Sequence, residues 1–176
     1  MGALAAAVPE GRRRRAVAVI LATVGTTELP FDRLVRAVDD LASRAKEPVL
    51  IQIGHSTYEP RHAQWFRFDT AERMRALITL ADVVVTHGGF AIISDCLRAN
   101  KRIVACPRLG ELGEAVNPQR ELAAYLAGQG LLVAVDDIVD LPLAIERARS
   151  MPLGGHKFES RIPILVAEFL RSLIRI

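Results

Sequence analysis

A chain of 176 residues has the size of one domain and is too short for two α/β domains of ordinary size. Apolar residues make up 51% and charged residues 24%, a balance that supports a packed core and excludes disordered, collagen-like and mucin-like classes. The net charge of +3 sits in residues 1–15, where Arg12, Arg13, Arg14 and Arg15 face only Glu10. The rest of the chain is neutral and only 5% of residues are aromatic, so it lacks the basic face and stacking platforms of a nucleic-acid binder.

Residues 1–15 read as a basic tail. Their small-residue stretch precedes the charges, the reverse of a secretory signal, and the apolar run Ala16 to Val24 falls well short of the about 20 residues of a membrane span. The expectation is a cytoplasmic protein with membrane contact limited to the surface. VAVILATV (17–24) is β-branched, apolar and ended by Gly25, as a strand buried on both faces would be. Residues 32–46 place Leu34, Val35, Val38, Leu41, Ala42 and Ala45 at helical spacing up to the stop at Pro48. PVLIQI (48–53) is a second strand, followed by the polar loop GHSTYEPRH and a short strand around Trp65–Phe68. Asp69 or Thr70 caps a helix over 71–80, and a strand at 83–86 runs into His87-Gly88-Gly89 and a helix over 90–99.

RIVACP (102–107) is the next strand, with a helix over about 118–128 for which Asn117 is a good cap and Pro118 a good first residue. GLLVAV (130–135) and a helix ending near Arg149 follow. Strand and helix alternating at this spacing predict an α/β fold: a Rossmann-like open, mostly parallel sheet over residues 16–150 with helices on both faces. Residues 151–176 are expected to form a linker and a C-terminal amphipathic helix, which packs on its own sheet or meets a partner or membrane surface. Cys96 and Cys106 make no disulfide framework, and no cluster has zinc-ligand spacing, so no metal is expected.

The phosphate-loop, dinucleotide, zinc-protease and nucleophile-elbow motifs are all absent. Chemistry therefore falls to the loops at the carboxyl ends of the strands, where open α/β sheets bind ligands. Gly25 and Thr26 offer close backbone approach and a hydroxyl, or simply a tight turn. His87, Gly88 and Gly89 precede a helix whose free N–H groups suit an anion, although a strand-to-helix turn needs glycines too. Asp95 lies nearly two turns further on, where it can accept from ribose hydroxyls or stand as an exposed helix charge. Arg108 ends a strand and can neutralise a phosphate, while Glu114 and Gln119 can bond a sugar or base, unless the stretch is only a capped helix entry.

In the order GTTELPFDRL, QIGHSTYEP, THGGFAIISD and PRLGELGEAVNPQREL, these loops resemble the C-terminal domain of glycosyltransferase family 28, from residue 17 to about 149. The likeness is to its small stand-alone members, such as the catalytic subunit of the two-subunit UDP-N-acetylglucosamine transferase and bacterial capsule or exopolysaccharide subunits. It implies a single GT-B half that binds a UDP-sugar and passes the sugar to a lipid-linked acceptor held by a separate, membrane-associated subunit, which supplies the catalytic base. It puts Gly88 and Gly89 in the diphosphate turn, Asp95 at the ribose-binding carboxylate, and Arg108, Glu114 and Gln119 in the loop facing the donor sugar. The chain departs from the family pattern at Ala91, which replaces a glycine, at Ile92, which replaces a hydroxyl residue, and at EAVNPQ, which lacks the family's two histidines. These departures fit a second reading, a non-catalytic relative that keeps the fold and partner surface with weak or no nucleotide binding.

Overall fold

The computed structural model describes residues 19–114 and 119–153. The basic tail, Asn117 and Pro118, and the expected C-terminal helix lie outside the described residues. Six strands form one sheet: β1 (Ile20–Thr23), β2 (Val49–Gln52), β3 (Gln64–Phe66), β4 (Val83–Thr86), β5 (Arg102–Ala105) and β6 (Val133–Ala134). Their spatial order is β3-β2-β1-β4-β5-β6 and every pairing is parallel. The chain order reverses between β1 and β4, and that pair is the sheet's topological switch point.

Side chains alternate between two cores, as the period of two requires. On one face Ile20, Ala22, Val83 and Val85 pack with Phe31, Leu34, Val35 and Val38 and with Leu141 and Ile145, which belong to or border α1 (Asp32–Ala42) and α5 (Leu141–Ser150). On the other, Leu21, Val84 and Ile103 meet Ile78, Ile93 and Ala123 of α2 (Ala71–Leu80), α3 (Phe90–Arg98) and α4 (Arg120–Gly128). Burying each such aliphatic or Phe side chain contributes roughly 1.5–3 kcal/mol, so the two faces carry most of the fold's stability. Cys96 and Cys106 are free and buried, one in each core, and burial pushes both thiols up to about 12.

Helix α2 and strand β4 fall where the pattern predicts, with Thr70 capping α2 through a bond from the Arg73 N–H. Helix α1 ends four residues early, because the Arg44 N–H turns back to the Leu41 carbonyl and tightens the last turn. The sixth strand is shorter than GLLVAV suggests. The Leu131 N–H bonds the Leu126 carbonyl and Gly130 takes a positive φ of 69°, so both residues close α4 in a Schellman-type turn. Helix α4 starts at Arg120, with Gln119 rather than Asn117 at its cap position.

A parallel crossover ordinarily carries a helix, yet β2 and β3 are joined by residues 53–63 alone. Two carboxylates of α1 hold this loop. Asp32 accepts from the N–H groups of Thr57 (2.8 Å) and Tyr58 (3.2 Å) and from the Thr57 hydroxyl. Asp39, fully buried, accepts from the N–H groups of Arg61, His62 and Ala63 at 2.8 to 3.0 Å and from the Tyr58 hydroxyl at 2.7 Å. Burial alone would raise both acids, but these hydrogen bonds outweigh it and hold both below the usual carboxylate value.

Candidate functional site

The carboxyl ends of β1 and β4 open into a cavity of about 340 Å³, walled on the far side by the starts of α2 and α3. Gly25 and Thr26, which follow β1, line it with His87 and Gly89, which follow β4, and with Asp95 of α3. The sequence reading separates these five residues by up to 70 positions, and the switch point brings them to one cavity.

The His87 ring fills the space two glycines leave. A methyl carbon at Gly25 would lie 2.7 Å from His87 Cε1, and one at Gly89 would lie 2.3 Å from Nε2. Gly25 also takes a positive φ of 80°. Burial, and next the positive charge of Arg108, push the His87 pKa down to about 4, against a hydrogen bond with the Thr23 backbone that favours the cation. The ring is therefore neutral at pH 7 and adds no charge to the floor of the cavity.

Helix α3 presents its N-terminus to this floor. Gly89 supplies no side-chain cap, the first turn contains no acid, and Phe90, Ala91 and Ile92 line the cavity. The first intrahelical bond is from the Ile93 N–H to the Gly89 carbonyl, so the N–H groups of the preceding residues have no acceptor within the helix. Such an end attracts an anion by hydrogen bonding and by the helix dipole. Asp95 lies beyond it, 3.3 Å from Arg98 Nη1 and 4.0 Å from Arg75 Nε.

Further lining residues were not assigned to a site from the sequence. Gln52 binds Gly25 twice, accepting from its N–H (3.1 Å) and donating to its carbonyl (3.0 Å), and also bonds the Thr23 hydroxyl (2.7 Å) and the Arg67 carbonyl (2.9 Å). Its signal was visible, since it is the polar residue in the apolar run PVLIQI. Phe68, Asp69 and Met74 come from the β3 to α2 segment and form the outer wall with Ala71. At the mouth, His55 packs edge-on against Phe68 with ring centroids 4.8 Å apart, and its Nδ1 lies 3.0 Å from the Thr27 carbonyl.

Gly88, Arg108, Glu114 and Gln119 are not among the cavity-lining residues. Arg108, 3% exposed, donates to the carbonyls of Val24 (2.8 Å), Leu29 (3.0 Å), Pro30 (3.1 Å) and Glu114 (3.0 Å), with its guanidinium 4.7 Å from the Phe31 ring. Glu114 binds Arg33 with both oxygens and accepts from the Leu109 N–H. The sequence reading expects a sugar- or phosphate-facing pair; here both side chains fasten the β5 to α4 loop to the segment after β1. Gln119 lies behind the glycine turn, its Cβ 3.8 Å from where a Cβ on Gly88 would be. Its Oε1 is buried without a partner among the described residues. Among the described residues no cluster of three His, Cys, Asp or Glu is placed to hold a metal, and no helix is long and apolar enough to cross a membrane.

Residues 19–159 match the model of the glycosyltransferase family 28 C-terminal domain. No curated protein matches the sequence. Among solved structures, the glycotransferase of kitacinnamycin is 22% identical with a TM-score of 0.63, over 86% of this chain and 40% of its own. The Streptomyces sp. SF2575 glycosyltransferase SsfS6, complexed with thymidine diphosphate, is 21% identical with a TM-score of 0.55, over 80% of this chain and 34% of its own. The solution structure of ALG13 is 15% identical with a TM-score of 0.55, over 85% of this chain and 94% of its own. At these identities the likeness speaks for the fold. The chain spans 40% or less of the two larger enzymes and nearly all of ALG13.

Proposed function

This chain belongs to the glycosyltransferase family 28 C-terminal domain family, and from that premise we propose that it is the donor-binding subunit of a UDP-sugar-dependent glycosyltransferase. The observation that carries the reading is the uncapped N-terminus of α3 opening into a cavity at the β1–β4 switch point. The diphosphate lies against the N–H groups of Phe90, Ala91 and Ile92, close to the backbone of Gly25 and Gly89. Asp95 accepts from the ribose hydroxyls, and Phe68, Ala71 and Met74 offer the base an apolar wall.

In the transfer, the acceptor hydroxyl oxygen forms a bond to the anomeric carbon while the bond from that carbon to the β-phosphate oxygen breaks, its electron pair leaving with UDP. The α3 N-terminus stabilises the charge that develops on the departing diphosphate, a fixed electrostatic role that requires no metal. A neutral His87 fits this arrangement as filler for the turn. The acceptor proton goes to a base on a second, membrane-associated polypeptide that holds the lipid-linked acceptor. The subunit works at the cytoplasmic face of the membrane through that partner.

Calorimetric titration with UDP, thymidine diphosphate and several UDP-sugars tests the donor site. Micromolar binding that is lost in Gly89→Asp and Asp95→Ala supports it. Gly89→Asp has no room for its side chain against the His87 ring and displaces that ring into the diphosphate position, and Asp95→Ala removes the ribose acceptor. A second reading, a non-catalytic subunit, draws on Ala91 and Ile92, which give the first turn of α3 no hydroxyl to add to its N–H groups. That reading expects stable assembly with a partner and no nucleotide affinity, alone or in the complex.

A further inference from the structure

Arg33 stands at the start of α1, and its guanidinium reaches across to the β5 to α4 loop. Nε and Nη2 donate to the two oxygens of Glu114 at 3.0 and 2.9 Å, and Nη2 also donates to the Pro107 carbonyl at 3.1 Å. Glu114 in turn accepts from the Leu109 N–H at 3.0 Å. The two side chains are 21% and 9% exposed, so the pair is largely withdrawn from water, where removal of one partner strands the other's charge.

Pro107 links this pair to the site. Its Cα lies 3.9 Å from where a Cβ on Gly88 would be, so the glycine turn faces it across about the width of one methyl group, beside Gln119. The next residue, Arg108, is anchored to the carbonyls of Val24, Leu29 and Pro30. Pro107 is thus held from two sides, by Arg33 at its carbonyl and by the fixed guanidinium of its neighbour. We propose that Arg33 is a positioning residue that sets the His87–Gly88–Gly89 turn, and with it the α3 N-terminus, through Pro107 and Glu114. The consequence for binding rests on the donor reading of the cavity, whereas the positioning itself does not.

The test uses the full chain as wild type, Arg33→Ala, Arg33→Lys, the exchanged pair Arg33→Glu with Glu114→Arg, and the control Arg36→Ala. Arg36 lies over the Tyr58 ring on the same helix, away from the turn. In the ligand-free proteins, Arg33→Ala is expected to shift the amide resonances of Gly88 and Gly89. Arg33→Lys shifts them less, because one ammonium cannot reproduce the two-pronged bond. The exchanged pair leaves them shifted, because a carboxylate at position 33 cannot donate to the Pro107 carbonyl and a guanidinium at position 114 cannot accept from the Leu109 N–H, and Arg36→Ala leaves them in place. UDP binding in Arg33→Ala weakens on the order of 10- to 100-fold, the scale of an ångström-sized misplacement, and stays weak in the exchanged pair.

Unmoved Gly88 and Gly89 resonances in a folded Arg33→Ala or Arg33→Lys variant overturn the proposal. So do shifts accompanied by unchanged UDP affinity. Shifts of the expected pattern in a chain whose wild type binds no nucleotide confirm the positioning and overturn the donor reading instead.

Discussion

A methyl group has no room at Gly25 or Gly89, since His87 already occupies the space, and Gly25 adds the strain of a positive φ. Gly25→Ala and Gly89→Ala are each expected to cost about 1–3 kcal/mol, the usual range for overpacking, and to displace the His87 ring into the cavity. Thermal unfolding measures the first effect and UDP titration the second. His87 also sets a pH dependence. Its pKa is about 4 folded against 6.5 unfolded, so above pH 6.5 both states are neutral and full stability is present. As pH falls from 6.5 toward 4 the unfolded chain takes up a proton that the folded one refuses, and stability drops by up to about 3 kcal/mol at about 1.4 kcal/mol per unit. Urea unfolding at pH 7 and pH 4.5 should show this loss in the wild type and a smaller one in His87→Gln; equal losses in both would contradict it. Cys96 and Cys106, with thiols at about 12, should resist thiol reagents at pH 7.5 until the chain unfolds.

Helix α1 does more than cover one face of the sheet: through Asp32 and Asp39 it stands in for the helix the β2 to β3 crossover lacks. Asp39→Ala leaves three N–H groups and the Tyr58 hydroxyl without their acceptor and should cost about 3 kcal/mol, the scale of buried groups left unsatisfied. Both acids are held below the ordinary aspartate value of 3.8, so the stability they contribute is present above that pH and is lost as pH falls below it. Acid unfolding of Asp39→Asn should begin from a lower stability and show a shallower dependence below pH 4; an unchanged curve would contradict the assignment. The elements were well marked in the sequence, because β-branched runs, Thr70 and the paired glycines are local signals. Helix ends were less legible, since the Schellman-type closure of α4 draws Gly130 and Leu131 away from an apolar run that reads as strand throughout.

At the scale of the molecule, the order β3-β2-β1-β4-β5-β6 builds a cavity from residues that are neighbours only after the crossover to β4. Gly25, Thr26, His87, Gly89 and Asp95 were legible because they end strands or follow a glycine turn. The scaffold role of Arg108 and Glu114 was not, since Arg33 and the Leu29 carbonyl lie 81 and 79 positions away from them and sequence spacing says nothing of such pairs. The basic tail makes a separate prediction of the subunit reading. Changing Arg12, Arg13, Arg14 and Arg15 to Ala should lower recovery of the complex with anionic liposomes, at about 1 kcal/mol per basic residue near the surface; unchanged flotation would contradict a membrane role for the tail. The central claim is that the switch-point cavity takes a nucleoside diphosphate, and amide chemical-shift mapping of the full chain during UDP titration tests it most directly. Saturable shifts concentrated at Gly25, Thr26, Gly89, Phe90, Ala91 and Asp95 are the predicted result. Shifts centred elsewhere, such as the groove of Leu50, Trp65 and Leu77 beside β3, or no shifts at millimolar UDP with or without an assembled partner, would contradict it.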